Sequence, residues 1–130
     1  MKKQIIKTLA MASATVMLLG TAAYAGTSYS GYNTTVGRLN GNGYTDYQKK
    51  DISGANGYIA SSVVGGAYLV DARMNSGSGN GSWLRDVTDG TSAELPGNAK
   101  QKAGCSVRLQ FSNDVTTPVN VQVSGEWKSN

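Results

Sequence analysis

The sequence predicts an all-β fold, a small antiparallel β-sandwich of about seven strands behind a cleaved N-terminal signal peptide. A small β-barrel is the alternative, because strand count does not separate the two. Three observations carry this expectation. Apolar and polar residues alternate with period two in the C-terminal third, Gly, Asn and Ser clusters punctuate the chain at short spacing, and no stretch after residue 25 carries a helical apolar stripe.

Taken in chain order, residues 1–25 read as an address. Lys2, Lys3 and Lys7 form a basic start, residues 9–20 an apolar run, and Ala23-Tyr24-Ala25 a small-x-small cleavage site, so the mature chain is expected to begin at Gly26 and to be secreted. The apolar run is short and rich in Ala, Ser and Thr, and no stable membrane span is expected in the mature chain. Residues 26–130 are expected to form one secreted β-sandwich domain.

Within it, residues 33–39 and 44–50 flank Asn40-Gly41-Asn42-Gly43 and read as a hairpin. Residues 58–64 are β-branched and aromatic and end at Gly65-Gly66, which is expected to turn the chain into a strand beginning near Ala67. Tyr68, Val70, Ala72 and Met74 alternate with Leu69, Asp71 and Arg73, and residues 83–87 follow a Gly/Ser/Asn-rich stretch at 75–82. This predicts a second hairpin with a flexible tip. Residues 90–104 read as a crossover loop. In residues 105–111 the odd positions are apolar and the even ones polar, and residues 119–127 repeat the phase beyond the turn-rich segment 112–118. These two strands are expected to form a third hairpin.

Composition excludes much chemistry. The chain has no histidine and one cysteine, so a Ser-His-Asp triad, a Cys-His pair, an imidazole metal site and an intrachain disulfide cannot be built from it. After residue 25 nine basic residues face eight acidic ones, scattered singly or in pairs, which argues against a nucleic-acid partner. The carboxylates are spread through loops and solvent faces, without the paired arrangement of a glycosidase. Ser78 lies in a polar loop without the flanks of a nucleophile elbow. Asp86-Val87-Thr88-Asp89-Gly90 offers oxygen ligands but matches no calcium loop and reads as turn chemistry. No catalytic residue, metal or cofactor is expected. Cys105 shares the phase of Val107, Leu109 and Phe111 and reads as a small buried hydrophobe.

The aromatic inventory is more informative. After residue 25 there are six tyrosines against one phenylalanine, and Tyr29, Tyr32, Tyr44 and Tyr47 lie among Gly, Asn, Ser and Thr, where few aliphatics compete for the core. Tyrosine presents a flat apolar face with a polar tip, which suits a binding surface. The expected binding residues are therefore Tyr29, Tyr32, Tyr44 and Tyr47, with Lys49 and Lys50 on the rim. Trp83 and Trp127 are expected in the core. The functional expectation is a secreted, non-enzymatic bacterial protein that binds an extracellular glycan or protein, with homo-oligomers through strand edges within its reach. The alternative is a secreted antagonist, a bacteriocin-like toxin or an inhibitor of an extracellular enzyme, using the loop at 75–82.

Overall fold

The computed structural model describes residues 24–130; the predicted signal sequence, apart from its last two residues, lies outside them. Among the described residues ten strands form two open sheets packed face to face, and one short helical segment is a 3-10 turn at Gly65–Ala67. The fold is thus all-β and sandwich-like, without a closed barrel. No helix of the described residues is long and apolar enough to cross a membrane.

Sheet A contains β1 (Tyr24–Ala25), β3 (Asn42–Tyr44), β4 (Gln48–Lys49), β6 (Val70–Asn75), β7 (Leu84–Val87) and β9 (Ser106–Asn113). Its order is β1-β4-β9-β6-β7, and β3 pairs with β9 beyond β4. Sheet B contains β2 (Ser30–Val36), β5 (Gly57–Val64), β8 (Ser92–Leu95) and β10 (Val121–Lys128), in the order β2-β10-β5-β8. All pairings are antiparallel except the two-residue β1–β4 pair.

The alternation read from the sequence sets the core. Val107, Leu109 and Phe111 of β9 and Val70, Ala72 and Met74 of β6 turn inward from sheet A. They meet Tyr32, Val36, Ile59, Val121, Val123 and Trp127 of sheet B. Trp127 is buried as expected. The Tyr32 and Phe111 rings touch across the two sheets, with centroids 5.2 Å apart.

Pairing departs from expectation in three places. β9 and β10 lie in different sheets, so the segment 114–120 arches across the sandwich instead of closing a hairpin. The same is true of β2 and β3 around residues 37–41, and of β5 and β6 around Gly65–Ala67. One expected hairpin forms, β6 with β7. The segment 90–104 also holds a strand, β8, which pairs with β5.

Buried polar side chains tie the arches down. Gln48 Nε2 donates to Ser30 Oγ and to the Trp127 carbonyl, at 2.6 and 2.9 Å, and its Oε1 accepts from Ser129 N–H. Asn113 Nδ2 donates to the carbonyls of Val36 and Gly37. Gln101 Nε2 donates to the carbonyls of Met74 and Gly79. The loop at 75–82 is consequently held down. Gly81 N–H bonds the Met74 carbonyl, Asn98 Nδ2 bonds the Asn80 carbonyl, and a side chain at Gly81 would collide with the Pro96 carbonyl.

Candidate functional site

The outer face of sheet A carries the largest grouping of functional side chains in the described residues. On β9 the polar positions Arg108, Gln110 and Ser112 point away from the core; in register, Arg108 stands opposite Asn75, Gln110 opposite Arg73 and Tyr44, and Ser112 opposite Asp71 and Asn42. Two rows of side chains follow across the strands. In the first, Gln110 Nε2 donates to Asn42 Oδ1, Gln110 Oε1 accepts from Arg73 Nε at 2.8 Å, and the Arg73 guanidinium lies 4.3 Å from the Trp83 ring centroid. In the second, the Arg108 guanidinium lies 4.0 Å from the Tyr44 ring and 5.0 Å from the Tyr47 ring, and Arg108 Nε donates to Asn75 Oδ1 at 2.9 Å.

This layer covers the sheet. Gln110, Ser112 and Asp71 face outward, yet each is at most 9% exposed; Arg73 bonds Gln110, Arg85 bonds Asp71, and Ser112 Oγ bonds Asn40 Oδ1. Electrostatically the layer is cationic. Asp71 accepts from Arg85 Nη1 at 2.6 Å and from the Asp86 backbone N–H, and that is the one ion pair among the described residues. Arg73 and Arg108 instead have neutral amide partners, so their charge is not compensated. Cation–ring stacking holds each guanidinium flat without neutralising it.

The six expected binding residues divide. Tyr44 and Tyr47 are exposed and meet on Arg108. Lys49 is exposed in β4, opposite Ser106 on the same sheet. Tyr29 is exposed away from this group, its ring 5.1 Å from Lys128 Nζ; its hydroxyl pKa is raised by partial desolvation, then by Tyr58 and Glu126. Tyr32 is a core residue, not part of an exposed face, because β2 begins at Ser30 and its alternation turns Tyr32, with Val36, inward. Burial pushes the Tyr32 hydroxyl up to about 12; it faces Ser61 Oγ, and neither oxygen reaches hydrogen-bond geometry.

Lys50 is likewise no rim residue. It is 1% exposed, and its Nζ donates to the carbonyls of Ala55, Ser129 and Asn130 at 2.7, 2.6 and 3.3 Å. Burial lowers its pKa, and Cys105 and Asp51 oppose that shift. Trp83, expected in the core, is half-exposed between Arg73 and Arg85. Sequence reasoning missed Arg73 and Arg108 as site residues. Their alternation placed both on water-facing strand sides, but only the pairing of β3, β9 and β6 brings them beside the aromatics.

Other candidate chemistry is accounted for structurally. Asp89 Oδ1 accepts from Val64 N–H and Thr91 Oγ1 from Thr88 N–H, so the segment 86–91 is a hydrogen-bonded turn. Among the described residues no group of three or more Cys, Asp or Glu stands close enough to hold a metal ion. Cys105 is a free thiol, half-buried against the core edge. Comparison with protein-family models, with curated proteins and with solved structures finds no match to this chain.

Proposed function

We propose that this chain is a secreted, non-enzymatic bacterial protein that binds an extracellular partner, a cell-envelope glycan or a protein, through the outer face of sheet A. The observation that carries the reading is the layer of Tyr44, Tyr47, Trp83, Arg73 and Arg108. It brings exposed aromatic rings and two arginines without an acidic partner together on one strand face. Aromatic and arginine side chains dominate binding hot spots. Residues 1–25 are read as a signal peptide, removed to leave Gly26 first; cleavage there would also remove β1. An intact mass of the secreted protein that does not begin at Gly26 would count against this.

The binding test is retention on insoluble cell wall, whole cells and captured supernatant proteins. The double variant Tyr44→Ala/Tyr47→Ala is expected to lose at least about tenfold in retention with an unchanged melting temperature. A collapsed melt would make the pair structural instead. Self-association through strand edges belongs to the same proposal. β2 is an edge of sheet B with seven residues, uncharged and without proline, whereas the β7 edge carries Arg85 and Asp86, the latter at φ 62°. A monomer at every concentration in sedimentation removes that part.

A second reading, the secreted antagonist, draws on the hydrogen-bonded loop at 75–82, since a rigid loop suits an inhibitor. Growth assays on related bacteria and inhibition assays on extracellular hydrolases that both come out negative remove it.

A further inference from the structure

Resting on the reading of the sheet A face as the binding site, we infer that its ligand is a linear polysaccharide carrying carboxylates. Three features point there. First, Arg73 and Arg108 each use Nε on a neutral amide and lie 4.3 and 4.0 Å from a ring centroid, while their terminal nitrogens make no hydrogen bond among the described residues. A planar guanidinium fork matches a carboxylate with two parallel hydrogen bonds. No acidic side chain pairs with either arginine among the described residues, so a ligand carboxylate would meet two uncompensated guanidiniums.

Second, the two forks are spaced along the sheet. Arg108 stands opposite Asn75 and Arg73 opposite Gln110, so the arginines are diagonal neighbours, about 7–8 Å apart at their bases. That spacing suits a polymer with repeated charges better than a single small anion.

Third, the remainder of the face is amide and hydroxyl. Asn42, Gln110 and Ser112 supply neutral donors and acceptors beside the rings, and of the exposed aliphatics Leu69 borders the face just before β6. Sugar hydroxyls match such groups as both donors and acceptors.

The test is titration of the purified protein with polygalacturonate, with the same polymer after methyl esterification, with neutral dextran and with polyglutamate, at two salt concentrations. Polygalacturonate is expected to bind, the esterified polymer and dextran to bind at least about tenfold more weakly, and affinity to fall with added salt. Arg73→Gln and Arg108→Gln should each weaken binding by about tenfold to a hundredfold without moving the melt. Arg108→Lys should not restore it, since an ammonium has no fork, and Lys100→Gln, an equal charge change on an exposed loop residue outside the face, should leave affinity as it is.

Equal binding of the esterified polymer, or tighter binding of polyglutamate, overturns the inference. If a neutral glycan binds and the loss follows Tyr44→Ala or Trp83→Ala instead of the arginines, the inference falls and the binding face stands. If none of these variants changes retention on cells or wall, both fall.

Discussion

At Lys50 a single buried ammonium joins two pieces of chain through three carbonyls. Its three carbonyl acceptors belong to the 50–56 turn and to the end of the described chain, and Asn130 O also accepts from the N–H groups of Asp51 and Ile52. Lys50→Met keeps the volume and removes the donors, leaving buried carbonyls short of a partner. The expected cost is on the order of 2–4 kcal/mol, measured by urea denaturation; an unchanged midpoint would mean that water replaces the ammonium. Tyr32 sets a different dependence. Its folded-state pKa, about 12, lies above the ordinary tyrosine value of 10.0, so the unfolded chain releases that proton first as pH rises. The stability linked to Tyr32 is therefore complete below pH 10 and is lost as pH rises toward 12. Lys50 runs the other way. Its pKa is lowered in the fold, so its contribution improves as pH rises toward the ordinary lysine value of 10.5. Melting curves between pH 9 and 12 should separate the two. Tyr32→Phe flattens the alkaline fall, and because the hydroxyl it removes has no hydrogen-bond partner, the variant should melt at or above the parent at neutral pH.

At the scale of strands, alternation told which face a residue occupies but not which strand lies beside it. The phase of residues 105–111 placed Val107, Leu109 and Phe111 inward and Arg108 and Gln110 outward, as the structure has them. The partner was another matter. A turn-rich segment such as 112–118 serves a hairpin within one sheet and an arch between two equally well, and local composition does not distinguish them. Two further elements were hidden for simpler reasons. Ser30-Gly31 resembles a turn, so β2 was expected to start at Asn33, and Tyr32 lost the phase that would have marked it as core. β8 reads Ser-Ala-Glu-Leu, which alternates, but four residues without a β-branched or aromatic side chain do not stand out from the loop around them. The site was half legible for the same reason. Tyr44 and Tyr47 were visible as polar-flanked aromatics, while Arg73, Arg108 and Trp83 became their neighbours only through pairing across β3, β9, β6 and β7.

Across the whole molecule, two opposite surfaces differ in chemistry. Sheet A turns outward arginine and aromatic rings; sheet B turns outward small polar residues such as Asn33, Thr35, Gln122 and Ser124, with Glu94 and Glu126 among them. The chain visits the two sheets by turns, and the last strand, β10, pairs with both β2 and β5 at the middle of sheet B. That topology has a kinetic meaning. Sheet B has no centre until residues 121–128 exist, and contacts between segments so far apart in sequence form late and slowly. A polypeptide cut after Asn113 should therefore show no cooperative melt and no dispersed amide spectrum, whereas the intact chain shows both. For a protein proposed to leave the cell, an N-terminal portion that cannot settle before synthesis is complete is one that stays threadable through a translocation pore.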